Sequence, residues 1–199
     1  MNIKHLLTFV VLMLVTPFGS ANQVRYVIDS EKTTVNFKWH YFGRKSPAAS
    51  FSKPAGVIYF NIDNPLKSSA EVTIPVRTLS TFMTMIDQEL LNSGNFFKPE
   101  THPNITFRST DISMPSASNS AFQVHGVLTA NGISKPVTLQ AKPIGLAPDA
   151  MPGRVITVDA TTHFNRSDFG MTKMLGIVSD EMNISLRVIA ATEDEIPYR

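Results

Sequence analysis

The sequence predicts an all-β fold, a closed antiparallel barrel of about eight strands with one short helix. Three observations carry that expectation. Apolar side chains alternate with polar ones along most of the chain, clusters of turn-forming residues separate these runs, and a single stretch breaks the alternation with helical spacing.

Taken in order, the first segment reads as an export signal. Met1 to His5 carries the charge of Lys4, Leu6 to Val15 is almost wholly apolar, and Gly19-Ser20-Ala21 offers small residues at the cleavage positions. About ten apolar residues is half the ~20 that a bilayer-spanning helix needs. Residues 1–21 are therefore expected to be a signal peptide removed on export to the periplasm. Residues 22–192 are expected to form one barrel domain, and 193–199 a short tail. No later run is long and apolar enough to span, so the mature chain is expected to hold no integral membrane segment.

The alternation is clearest near the C-terminus. Val178, Met182, Ile184, Leu186 and Val188 share one face, with Ser179, Glu181, Asn183, Ser185 and Arg187 on the other. Val35, Phe37 and Trp39 alternate with Asn36, Lys38 and His40. Phe122, Val124 and Leu128 oppose Gln123, His125 and Thr129, while Ile156, Val158, Ala160 and Phe164 oppose Thr157, Asp159, Thr161 and His163. Further strands are expected over Val24–Asp29, Val57–Ile62, Ala70–Val76, Ile105–Met114 and Val137–Ile144. Turns fall at Lys45–Pro54, Asp63–Ser69, Pro115–Ser120 and Ala147–Gly153. Asn131-Gly132 predicts a tight hairpin, and Pro136, lacking a ladder donor, belongs at a strand start, edge or bulge. From Thr81 to Leu91, Met83, Ile86 and Leu90 recur at helical spacing. Ser80 or Thr81 would cap this helix, Asp87 and Glu89 would face solvent, and Gly94 would end it. Strands this long with one dry face favour closure, because a barrel removes exposed edges.

Composition excludes several function classes. The 18 Lys and Arg against 16 Asp and Glu give a net charge of +2, and loss of Lys4 lowers it to about +1, with no dense basic cluster for nucleic acid. Zero cysteines remove disulfides and thiolate metal ligands. His40, His102, His125 and His163 show no metal spacing, and the first, third and fourth fall on polar faces, as solvated surface residues. No metal and no cofactor is expected. A G-x-S-x-G elbow and a Gly-rich phosphate loop are both missing. What stands out is apolar bulk near strand ends and the helix: Phe82, Met83, Met85, Phe96, Phe97, Phe169, Met171, Met174 and Leu175. Core packing or a ligand entrance would each account for it.

Several stretches resemble the YceI-like family, exported lipocalin-like proteins that bind polyisoprenoids. Tyr26-Val27-Ile28-Asp29 precedes the strand Val35–Trp39, and Phe96-Phe97 leads into His102-Pro103-Asn104-Ile105-Thr106-Phe107-Arg108-Ser109. Gly126-Val127-Leu128-Thr129 with Gly132-Ile133-Ser134-Lys135-Pro136-Val137 resembles the family's hairpin. Asn165-Arg166-Ser167-Asp168-Phe169-Gly170 and Val178-Ser179-Asp180-Glu181-Met182 resemble its last two strands. The resemblance implies an extended eight-stranded antiparallel lipocalin-like barrel, with a helix at one end and a tunnel for a long isoprenoid lipid or quinone such as ubiquinone. No catalytic residue is expected. Alternation then places Phe37, Trp39, Phe107, Val124, Leu128, Phe164, Ile184 and Leu186 inward, and Phe82, Phe96 and Met171 at the mouth. Arg166 and Asp168 would hold each other in a loop or contact a polar headgroup. The alternatives are an enzyme acting on a hydrophobic substrate in the same cavity, or a solid barrel acting through a protein-partner surface. The first needs Asp159, His163 or Glu181 inside, whereas alternation points all three outward. A homodimer stays open.

Overall fold

The computed structural model describes residues 22–41, 44–45, 49–114, 121–144 and 153–193. The expected signal peptide, the Pro115–Ser120 loop, most of the Ala147–Gly153 loop and most of the C-terminal tail lie outside the described residues.

The chain forms β1 (Gln23–Ile28), β2 (Thr34–Lys38), β3 (His40–Tyr41), β4 (Arg44–Lys45), β5 (Ala49–Phe51), β6 (Ala55–Asn61) and β7 (Ser69–Pro75). Helix α1 (Thr84–Asn92) follows, then β8 (Asn104–Ser113), β9 (Phe122–Ala130), β10 (Ile133–Pro143), β11 (Val155–Asn165) and β12 (Glu181–Ala191). All pairings in the main sheet are antiparallel, and its order runs β1-β6-β7-β8-β9-β10-β11-β12-β2-β5, with β1 meeting β12 again.

That last pairing closes an eight-stranded barrel. One side of β12 pairs along its whole length with β11. Its other side pairs first with β2, Leu186 opposite Val35, and then with β1, Ala190 opposite Ile28. β1 and β2 are thus one wall position, bent between Asp29 and Thr33. Asp29 Oδ1 accepts from the amides of Glu31 and Lys32 in this bend. Thr33 Oγ1 exchanges hydrogen bonds with the backbone of Ile189, replacing the ladder bonds that the bend removes. β5 and β6 form the neighbouring wall position in the same way, β5 against β2 and β6 against β1, around Lys53 at φ +55°.

Four local expectations are corrected. Ala49–Phe51 lies inside the stretch read as turns, yet it pairs with β2, with Phe51 opposite Val35. Three residues are too short to show a period. Helix α1 starts at Thr84 and is capped by neither Ser80 nor Thr81, because Phe82 takes a left-handed φ of +62° and resets the chain direction. Asp87 turns back from the helix instead of facing solvent, and its Oδ1 accepts from both the amide and the hydroxyl of Thr81, each at 2.6 Å. The last strand begins at Glu181, so Val178 lies ahead of it.

The hairpin at Asn131-Gly132 forms as expected, both residues at positive φ (51° and 76°). Pro136 sits opposite Val127 in the half of β10 that precedes its pairing with β11, which starts at Gln140 opposite Thr161. The missing donor therefore falls where the strand is locally an edge. Two buried clusters brace the barrel. One gathers Phe37, Phe51, Phe96, Phe97 and Phe169 near α1. The other gathers Tyr26, Ile28, Ile156 and Ala190.

Candidate functional site

The inward faces of the strands do not meet. They enclose a hollow of about 1200 Å³, reached by residues from nearly every wall strand and from α1. At ~30 Å³ per water, that is the space of about 40 water-sized groups. It also exceeds the ~300–1,000 Å³ of drug-sized ligand pockets.

Sequence alternation located the wall. Phe37, Trp39, Phe107, Val124, Leu128, Phe164, Ile184 and Leu186 all line the hollow, as do Phe96 and Met171 near α1. Trp39, Leu128, Phe164, Ile184 and Leu186 point inward yet stay only partly buried, as side chains facing an open space must. Phe82 stands on the outer side of the mouth and not in the lining: it is 82% exposed, its positive φ turning it away from the hollow. Its neighbours Met83, Met85, Ile86 and Leu90 line the mouth in its place. Aromatic rings stiffen this end. Phe37 stacks between Trp39 and Phe51 at 5.5 and 5.3 Å, and Phe97 meets Phe51 edge-on at 5.6 Å.

Some wall residues escaped the sequence reading. Phe51 stands on the strand too short to recognise. Ile58, Phe60, Val72, Ile74 and Leu139 lie on expected strands whose inward face was not assigned, although period two would have found them. Gly126 is a different case. A Cβ there would come within 2.5 Å of the Phe107 ring and of the Arg108 carbonyl. The glycine leaves the space that the tip of the Phe107 ring occupies.

Among the described lining residues, Arg44, Glu89 and Arg166 carry the formal charges. Arg166 is 3% exposed, and three of its nitrogens donate to backbone carbonyls. Nε reaches Ser179 at 3.0 Å, Nη1 reaches Met171 at 2.7 Å and Nη2 reaches Val178 at 3.3 Å. Its guanidinium carbon also lies 5.8 Å from the centre of the Phe96 ring. Burial pulls its pKa below the usual arginine value, while the charge of Asp180 pulls it back up. The expected Arg166–Asp168 pair does not form. Asp168 is exposed, and the nearby carboxylate is Asp180, which accepts from the amide and hydroxyl of Ser167 at 2.9 and 2.6 Å. Arg166 fastens the turn that leads into β12 by its carbonyls, a contact that residue identity alone does not reveal.

Asp159, His163 and Glu181, the groups on which an enzymatic reading turned, stand outside the lining. Asp159 lies outside the lining and forms a two-bond pair with Arg187 at 2.7 and 2.8 Å, which holds its carboxyl below the usual range. His163 and Glu181 are exposed. His125 is not freely solvated as expected: its ring is held between the hydroxyls of Ser113 at 3.1 Å and Thr138 at 2.9 Å. His102 packs against the hairpin, where a Cβ on Gly132 would meet its ring at 2.5 Å.

A closed antiparallel barrel around an apolar hollow, with a helix beside its mouth, defines a hydrophobic-ligand-binding protein. Comparison with known proteins narrows the class. The family model described as a YceI-like domain matches residues 26–190, and the chain belongs to that family. Proteins named YceI from Salmonella arizonae and Salmonella dublin are each 31% identical over 187 residues, covering 93% of this chain and 96% of theirs. Among solved structures, BcnA of Burkholderia cenocepacia superposes with a TM-score of 0.71 at 24% identity, over 82% of this chain and 99% of that one. The Campylobacter jejuni YceI protein gives 0.62 at 26% identity, over 73% and 84%. A polyisoprenoid-binding domain from Saccharophagus degradans gives 0.60 at 11% identity, over 85% and 99%, a likeness of fold.

Proposed function

We propose that this protein is a periplasmic carrier that holds a long-chain apolar lipid, a polyisoprenoid or an isoprenoid quinone, inside its barrel. The carrying observation is the hollow itself: about 1200 Å³, walled almost entirely by aliphatic and aromatic side chains. Burying ~20 ligand carbons there at ~0.8 kcal/mol per CH₂ releases ~16 kcal/mol gross. Ordering the chain and losing its free motion cost several kcal/mol, which leaves useful affinity without a charged anchor. The leader-like residues 1–21 support the periplasm. The family and the polyisoprenoid-binding structural neighbour support the ligand class.

Native mass spectrometry of protein purified from periplasm is expected to show a co-purifying lipid. Trp39, the chain's one tryptophan, lines the hollow and reports binding directly. Added ubiquinone is expected to quench its fluorescence saturably, at one equivalent per chain. No co-purifying lipid together with no saturable quenching overturns the carrier.

A further inference from the structure

The mouth of the barrel carries apolar surface on its outside as well as its inside. Phe82 (82% exposed), Met83 (42%), Met85 (85%), Met174 (41%), Leu175 (44%) and Ile177 (38%) lie on two segments, the start of α1 and the turn that follows Met171. An ion pair ties the segments together, with Lys173 Nζ 2.5 Å from Glu89 Oε1. Phe82 and Met174 sit at φ +62° and +60°, a backbone conformation that large L-residues rarely adopt. Both residues are thus held by the chain where neither burial nor local preference explains them.

We propose that this rim docks onto the surface of a lipid bilayer, so that the ligand passes between membrane and cavity without crossing water. The proposal rests on the ligand reading above and adds the surface from which the ligand comes. Its central observation is continuity: Met83, Met85 and Met174 line the hollow and are 42%, 85% and 41% exposed, beside Phe82 and Leu175, which are exposed without lining it. The same apolar surface runs from the interior to the edge that would meet the membrane. A long isoprenoid is stored in bilayers and is almost insoluble in water, so a mouth of this kind must open onto the phase that holds it. Exposed apolar patches of this sort mark protein or membrane contacts, and flexible methionines suit a yielding, fluid partner. Charge plays a minor part. Lys173 is paired with Glu89, and Arg44 is the other exposed cation bordering the hollow among the described residues. On a bilayer without net charge, docking is driven by apolar insertion and is insensitive to salt.

The test uses the mature chain, phosphatidylcholine vesicles and the double substitution Phe82→Ser with Leu175→Ser. Neither residue lines the hollow. The wild type is expected to float with vesicles equally at low and high salt, and the double variant to bind at least about tenfold more weakly. Ubiquinone is then supplied by two routes, in ethanol or within the vesicles, with Trp39 quenching as readout. The variant is expected to match the wild type by the ethanol route and to load at least about tenfold more slowly from vesicles. Equal loading from vesicles by both proteins overturns the docking surface and leaves the ligand reading intact. Uptake by neither route, even in the wild type, overturns both. Loss by both routes in the variant alone assigns the effect to the cavity and overturns the docking surface. A wild-type dimer that the variant converts to monomer gives the rim to a second copy and likewise overturns docking to a bilayer. Phe82→Ser alone serves if the double variant is poorly folded, since that side chain is 82% exposed.

Discussion

Replacing Arg166 with Met tests whether a buried cation holds the turn beside the mouth. Methionine fills similar space and removes the charge with its three donors. The Met171 carbonyl is buried where it receives Nη1, so stranding it costs about 1–3 kcal/mol. The Ser179 and Val178 carbonyls are part-buried and can recover water, at about 0.5–1.5 kcal/mol each. Loss of the contact with the Phe96 ring adds about 0.5–1 kcal/mol. Against this, the folded protein no longer desolvates a guanidinium, which returns a few kcal/mol. The net expectation is a loss of about 1–4 kcal/mol, with a fall in Tm of about 3–12 °C for a chain of this size. Arg166→Lys is expected to fall between, because one ammonium cannot reach three carbonyls at once. Calorimetry and urea unfolding followed by Trp39 fluorescence measure the change. Hydrogen exchange is expected to localise it to residues 171–179. A Tm within about 2 °C of wild type, with no added exchange in that segment, refutes the account.

Two further outcomes follow from the same geometry. Val124 faces the hollow, so Val124→Phe places its extra atoms in open space. Overpacking a filled core costs about 1–3 kcal/mol; here the urea midpoint is expected to move by less than about 1 kcal/mol, while ubiquinone affinity falls at least about tenfold. Destabilisation on the scale of a filled core would mean that the interior is solid. Acid is expected to destabilise the fold below pH ~4. The carboxyls of Asp29 and Asp159 are held below their ordinary values, by the side-chain hydrogen bonds of Lys32 and Arg187 respectively. The folded state therefore binds fewer protons than the unfolded chain. The stabilisation is fully present above the ordinary carboxylate pKa and is lost as pH falls through the lowered values. Asp159→Asn is expected to flatten part of the acid-induced fall in urea midpoint, and an unchanged slope would exclude that pair as a contributor.

The hollow has a physical cause that the packing makes plain. An eight-stranded barrel is wide enough either to fill with side chains or to hold one ligand. Here many inward positions are medium-sized or small: Val35, Ala130, Ala141, Ala160 and Val188. Large rings concentrate near α1, where Phe37, Phe51, Phe96, Phe97 and Phe169 pack against one another. Rings therefore brace the wall near α1, while the smaller residues elsewhere leave the space between the strands open. The Gly126 gap takes up the tip of the Phe107 ring, where any side chain would collide with it.

Period two was enough to place the strands and to divide their side chains into inner and outer sets, because each pleat turns successive residues to opposite faces. The eight inner residues named from alternation all line the hollow, and Asp159 and His163 stand outside it. The Asn131-Gly132 hairpin was equally legible, since both of its positions require a positive φ that few other pairs tolerate. Local signals failed where a contact between distant segments decides the outcome. Thr81 looked like a helix cap until Phe82 turned the chain and Asp87 reached back to it. Ala49–Phe51 became a strand because β2 was already in place to pair with it. Arg166 found three carbonyls supplied by the turn after Met171, and left Asp168 in solvent. Alternation is a property of neighbours along the chain, so sequence carries it. The volume left inside a closed ring of strands depends on how far apart opposite walls come to rest, and that distance exists only once β12 has met β1.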